Sequence, residues 1–410
     1  MTQSKPPAPR VPCSFLSGPA AWLRDEKRFW RGCCWLFGSF AILKGLRLPN
    51  AWALTQSQLD YSHGFLKRGL PGTVLHLFDI HHRLPLTVVF FVVLALFFAV
   101  LVVLVQRSTL EARFGSLAVA AIFAGSYAVT YLTHLVGYTD ILNAMLAMLL
   151  LLVRGALQRF LLALVIVPVA MLIHESFLLL FLPVVLLSFA LDFAAAPPGR
   201  VRARIAVMGA VLLLMALGIT LSTSLRPSLT AAQTQKFQAE VAARVDFPLE
   251  PGVFALLDHS VAQEMRYMAI AVRVPHWWNQ LSVSIACLLP LLLLLIYFQR
   301  RLLREGPLPL DPAAQLWLRL AALAAVFAPL LMHLVAWDAA RWNVLCTFAA
   351  FLVLLVLSRH LPPGAITLSA AERNLAIVLL ALNMATGYGL FDGATVNPYP
   401  FYPALVQHLR

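Results

Sequence analysis

The sequence predicts an all-α polytopic integral membrane protein, and three observations carry that prediction. Of 410 residues, 61% are hydrophobic and only 12% charged, where a soluble domain carries roughly a quarter charged residues. Mean hydropathy is +0.82. Uncharged apolar runs recur along the chain at lengths that match a bilayer core of ~30 Å crossed by helix. A β-barrel would show alternating segments of about ten residues instead, and none is seen.

Taken in order, residues 1–31 form a Pro-rich basic tail assigned to the cytoplasm. Arg10, Arg24, Lys27 and Arg28 lie there without an apolar core, so no cleavable signal is expected. The multi-span domain is expected over 32–390, with outer loops at 49–85 and 226–280, and an extracytoplasmic aromatic-proline tail at 391–410. Single spans are expected at Gly32–Leu48, Leu86–Gln106, Ser116–Thr133, Ile141–Val153 and Ile205–Leu225. Four more follow at Leu281–Phe298, Leu316–Val335, Val344–Leu357 and Leu375–Leu390.

The segment Phe160–Ala190 is too long for one span, and Pro168 and His174-Glu175-Ser176 interrupt it. Both of its flanks are basic, with Arg154 and Arg159 before and Arg200, Arg202 and Arg204 after. Basic loops stay cytoplasmic, so both flanks belong on one side and the segment reads as a hairpin tipped by His174-Glu175. That makes about eleven transmembrane helices, N-terminus inside. In the long outer loop a helix is expected near Phe254–Met268, and Trp277-Trp278 suit a membrane interface.

Charge and cysteine content narrow the partners. The net charge of +13 implies basic cytoplasmic loops touching anionic membrane lipids. No basic run interleaves aromatics as a nucleic-acid surface does, so no nucleic acid partner is expected. The five cysteines, Cys13, Cys33, Cys34, Cys287 and Cys346, show neither zinc spacing nor a disulfide framework. His81-His82 reads as a basic interfacial patch, and His174-Glu175 lacks the second histidine of a zinc helix motif. No metal and no cofactor is therefore expected.

The ionisable residues gather on the outer side. In the first outer loop, Asp60, His63, Lys67 and Arg68 fall within nine residues, before Gly69 and Gly72. Were this stretch a short interfacial helix, Gln56, Asp60, His63 and Lys67 would share one stripe. Three further clusters follow: His134 with Asp140, His174 with Glu175, and Asp338 with Arg341. Such groups at the ends of short spans cost ~3 kcal/mol or more unless paired or hydrated. Short helices are therefore expected to line a cavity that opens to the extracytoplasmic side. Each cluster also has a plainer role open to it: Asp140 and Glu175 as helix caps, Asp338–Arg341 as an ion pair within one helix.

No glycine-rich phosphate loop is present, and no nucleotide is available outside the membrane. A lipid-linked donor is the natural substrate there. Sugar transfer from a polyprenyl phosphate needs a carboxylate to take the acceptor proton and cations to hold the leaving phosphate. Asp60, Asp140 and Glu175 are the candidate bases. Lys67, Arg68 and Arg341 are the candidate phosphate ligands, with His63, His134, His174 and Asp338 beside the substrate.

The patches Gly64-Phe65-Leu66-Lys67-Arg68-Gly69-Leu70-Pro71-Gly72, Ile173-His174-Glu175-Ser176-Phe177 and Trp337-Asp338-Ala339-Ala340-Arg341-Trp342 carry a resemblance. With the predicted architecture, they look like the GT-C class of membrane glycosyltransferases and the EpsG-like and Wzy-like polysaccharide polymerases. The resemblance implies transfer from a polyprenyl-phosphate-linked sugar into a surface exopolysaccharide, at the bacterial inner membrane. GT-C enzymes often place two acidic residues in the first loop, whereas Asp60 stands alone here. A transporter or flippase of a lipid-linked glycan is the alternative, followed by a membrane-bound acyltransferase and a non-catalytic scaffold.

Overall fold

The computed structural model describes residues 25–114, 117–224, 227–305, 312–360 and 368–385. Among them every regular element is a helix, and the chain is a multi-pass membrane protein. The expected tail at 391–410 and the last residues of the expected Leu375–Leu390 span lie outside the described residues.

Helix α1 (Glu26–Gly45) opens on Asp25, whose carboxylate accepts from the Lys27 and Arg28 N–H groups. Short α2 (Ala51–Gln56) and α3 (Gly69–Leu77) precede α4 (Arg83–Arg107). Then come α5 (Leu110–Phe114), α6 (Ala118–Ala124), α7 (Tyr127–His134), α8 (Thr139–Leu152) and α9 (Ala156–Ile173). Helices α10 (Phe177–Leu180), α11 (Leu182–Ala195) and α12 (Arg200–Ser224) complete the first half. A group of shorter helices follows: α13 (Ala231–Arg244), α14 (Pro251–Ala255) and α15 (Val261–Ala271). The chain closes with α16 (Pro275–Glu305), α17 (Pro312–Phe327) and its 3-10 extension Ala328–Leu334, α18 (Ala339–His360) and α19 (Ala370–Ala385).

Among the described residues six helices are long and apolar enough to cross a membrane: α4, α9, α12, α16, α17 with its extension, and α18. A seventh span is counted if α7 and α8, bent by 117°, form one broken crossing. This is fewer than the eleven expected, and the reasons are local. The expected Ser116–Thr133 span breaks at Gly125-Ser126 into α6 and α7. Helix α8 has 14 residues, ~21 Å of rise against a ~30 Å core. Helix α1 begins at Glu26 rather than Gly32 and keeps Lys44 buried within it.

The hairpin expected at Phe160–Ala190 is present. Arg159, near the start of α9, donates to Asp192 near the end of α11 at 2.7 Å and to Ser188 at 2.9 Å. The chain therefore reverses at His174-Glu175-Ser176. Arg159 is fully buried, and its remaining N–H groups cap the carbonyls of Val153 and Arg154 where α8 ends. A buried guanidinium is tolerable only when its donors are all used in this way.

The two ends of the bundle differ in chemistry. Arg359, at the end of α18, donates to the Leu151 and Leu152 carbonyls at the end of α8. Arg113 donates to the Ser358 carbonyl, and His360 lies 3.5 Å from Asp192. One end is thus arginine-rich. The start of α8, the end of α9 and the start of α18 necessarily meet at the other. Helix α18 runs between them with every residue from Ala339 to Ser358 buried. Around it Phe123 stacks on Phe351 at 3.9 Å, and Phe97 and Phe181 meet Phe348.

The stretch between α1 and α4 and the segment spanning α13 and α14 fold against each other. Leu59 and Leu66 pack with Phe237 and Val241 of α13 and with Val253 and Phe254 of α14. Capping boxes at Thr230–Gln233 and Ser260–Gln263 start α13 and α15. The single helix expected over Phe254–Met268 is therefore two, separated between Ala255 and Val261. The helix expected over 56–67 does not form either. Helix α2 stops at Gln56, a 3-10 turn covers Tyr61–His63, and Arg68 takes a left-handed φ of 64° before α3. The chain then doubles back so closely that a Cβ at Gly72 would overlap the Leu59 carbonyl oxygen.

Candidate functional site

Helix α8 starts at Thr139 and presents Asp140 and Asn143, three apart and on one face, both without exposed surface. Asp140 does not cap the helix. It pairs instead with the Arg341 Nη2 in the first turn of α18. Arg341 Nη1 lies 3.6 Å from Asp338, so one guanidinium bridges two carboxylates. The rings of Tyr138 and Trp342 face the guanidinium at 5.0 and 4.6 Å and fix its plane. The ion pair expected between Asp338 and Arg341 alone is thus part of a three-residue unit, anchored on a helix 201 residues away in sequence.

The hairpin tip abuts this unit. The Asn143 Nδ2 donates to the His174 carbonyl at 3.2 Å. The His174 ring feels Arg68, Glu175, Asp140 and Arg341 together. Burial, and then the Arg68 charge, push His174 down to about 4, so the ring is neutral. Its Nδ1 accepts from the Ser176 N–H at 3.1 Å, which leaves the proton on Nε2.

Glu175 binds Arg68 in a two-pronged contact at 2.6 to 3.2 Å. Burial opposes the Glu175 charge, but Arg68 more than offsets it and holds the carboxyl well below the usual carboxylate range. Arg68 is one of two non-glycine residues with a positive φ among the described residues. A strained backbone of this kind persists where its surroundings over-determine it, commonly at functional sites. Lys67 next to it is buried, donates to the His259 carbonyl at 2.9 Å, and is lowered by that burial.

Of the expected site residues, the structure brings together Lys67, Arg68, Asp140, His174, Glu175, Asp338 and Arg341. His134 sits at the edge: it is buried at the end of α7, and its carbonyl accepts from Arg47 at 2.9 Å. Arg47 thus reaches inward from just beyond the end of α1.

Asp60 and His63 belong elsewhere. Asp60 caps the 3-10 turn through the Ser62 N–H and hydroxyl, and its other oxygen takes Arg244 at 2.7 Å. Burial opposes its charge, but Ser62 and then Arg244 hold the carboxyl below its ordinary value. His63 pairs with Glu240 at 2.7 Å and packs on Phe237. Both residues clasp the first outer loop to α13. Nothing in the sequence pointed to Arg244 or Glu240 as their partners.

The clasp is sensitive to acid. The buried His81 hydrogen-bonds Gln58 at 2.9 Å, and burial, then Arg244, lower it from 6.5. A depressed histidine contributes stability above its unfolded value that is lost as pH falls through the folded one. Asp60, lowered from 3.8, follows the same direction at more acid pH. Hydrogen-exchange protection of residues 57–82 is expected to weaken as pH falls below 6.5 and again below 3.8. Protection unchanged between pH 7 and pH 5 would contradict the histidine step.

Four atoms in the central cluster have no hydrogen-bond partner among the described residues: Asp140 Oδ1, Asn143 Oδ1, Ser176 Oγ and Arg341 Nε. Asn143 was missed in the sequence. Its signal was a polar residue three positions after Asp140 inside an apolar run. No family model, no curated protein and no solved structure matches this chain.

Proposed function

We propose that the chain is a bacterial inner-membrane glycosyltransferase or polysaccharide polymerase of GT-C-like type, using a polyprenyl-phosphate-linked sugar. One observation carries this reading: the Asp140–Arg341–Asp338 unit lies beside the Arg68–Glu175 pair, at the end of the bundle opposite the arginine-rich end. Arginine-rich ends face the cytoplasm, so this cluster faces outward, where lipid-linked donors are the activated sugars at hand.

Asp338 is the base in this reading. Its side chain is 37% exposed, against 19% for Glu175, 5% for Asp60 and none for Asp140. Asp338 takes the proton of the acceptor hydroxyl as that oxygen bonds the anomeric carbon. The bond from that carbon to the phosphate oxygen breaks, and polyprenyl phosphate leaves with the charge. Arg68 and Lys67 hold that charge, Arg68 exchanging one prong of Glu175 for the phosphate.

The test is glycan formation by purified protein in liposomes, from polyprenyl-phosphate hexoses and with no gradient imposed. Labelled product is expected. Passage of intact lipid-linked glycan across the bilayer without any product would replace transfer by transport.

A further inference from the structure

The cluster holds a second element that the transfer chemistry above does not use. The side chains of Asp140, Asn143, Ser176 and Arg341 are each more than nine-tenths buried, and each carries one of the unpartnered atoms. Unpartnered buried polar atoms are uncommon in native interiors and call for a cause. These four belong to one contact chain. Asp140 touches Arg341, Asn143 sits one turn along α8 and holds the His174 carbonyl, and the His174 ring accepts from Ser176.

Their hydrogen-bonding characters select a ligand class. Asp140 Oδ1 is an acceptor. Asn143 Oδ1 is one too, because a carbonyl can accept only from the amide nitrogen, which turns Oδ1 the other way. Arg341 Nε–H can only donate, and the Ser176 hydroxyl does both. A phosphate offers acceptors alone and would set its charge against Asp140. An ammonium offers donors alone and would face Arg341. Neighbouring hydroxyl groups supply donors and acceptors side by side, which neither a phosphate nor an ammonium does. We infer that Asp140, Asn143, Ser176 and Arg341 form the recognition site for neighbouring hydroxyls of a sugar ring, separate from the cations assigned to phosphate.

This rests on the proposed function only for the choice of a lipid-linked sugar as probe. The full chain in nanodiscs, free of sugar detergents, is titrated with short-chain polyprenyl-phosphate glucose, galactose and mannose, and with bare polyprenyl phosphate. At least one hexose form is expected to bind wild type ~10-fold or more tighter than the bare lipid phosphate, since several buried groups gain partners. Ser176→Ala is expected to lose ~10-fold for that hexose form and nothing for the bare lipid. Its unfolding midpoint without ligand is expected to stay level or rise, because it deletes an unpartnered group rather than a bond. If Ser176→Ala fails to insert, Ser176→Cys offers similar volume with a weakly bonding thiol.

Equal affinity for hexose and bare lipid phosphate in wild type would overturn the inference. So would a Ser176→Ala protein with a lowered midpoint and unchanged hexose affinity, the mark of a site satisfied by water alone. The two readings fail apart. Hexose-selective binding without product in the liposome assay sinks transfer and keeps the sugar site, whereas product with hexose binding indifferent to Ser176→Ala sinks only the site.

Discussion

Arg341→Gln is expected to destabilise the protein by about 3–5 kcal/mol, because it leaves Asp140 ionised and unpaired with no exposed side-chain surface. Asp140→Asn should cost less, because the guanidinium keeps its Asp338 contact at 3.6 Å. The paired replacement Asp140→Leu with Arg341→Met removes both charges and keeps much of the volume, so it should recover most of that loss. Thermal unfolding of the three variants in one detergent measures this. A double variant as damaged as the sum of its parts would mean the two residues act independently, contrary to their contact.

Asp338→Asn is the complementary experiment. With 37% of its side chain exposed and its Arg341 contact at 3.6 Å, Asp338 contributes little to folding. Its amide form should reach the membrane at normal levels yet transfer sugar ~10²–10⁴-fold more slowly. Asp60→Asn should behave oppositely, with near-normal product and a clasp that opens more easily, since Asp60 spends its oxygens on Ser62 and Arg244. If Asp60→Asn is inactive while Asp338→Asn works, the base has been assigned to the wrong loop.

The contrast between those aspartates shows what the sequence reveals and what it withholds. Long apolar runs identify the membrane class directly, because the bilayer sets a length that composition must obey. The hairpin was legible from the basic residues flanking Phe160–Ala190, and Arg159 meeting Asp192 is its structural counterpart. The Asp338–Arg341 spacing was legible because a helix makes positions three apart neighbours. The Asp140–Arg341 pair was not, since packing alone joins residues 201 apart. The placement of Asp60 on a helical stripe did not hold, because a sequence that reads as a helix turns instead through a 3-10 segment at Tyr61–His63. The left-handed Arg68 and the close approach at Gly72 fold that stretch back on itself. The described residues hold six helices that meet the length and hydropathy of a crossing, or seven with the bent α7–α8 pair, because hydropathy alone does not separate a long helix from short ones broken by turns, such as α6, α7 and α8.

Helix α18 has no face left for lipid, and that bears on how the protein is made. Its partners at the arginine-rich end, Arg113 and the α8 carbonyls, are synthesised some two hundred residues earlier. The contacts around the centre of the bundle form only once this helix has emerged. Closure is then a long-range, late event of the sort that slows folding. It also finishes the Asp140–Arg341–Asp338 unit, because Arg341 arrives only with α18. A chain released before that point would carry Asp140 without its Arg341 partner, whereas Glu175 would already have Arg68.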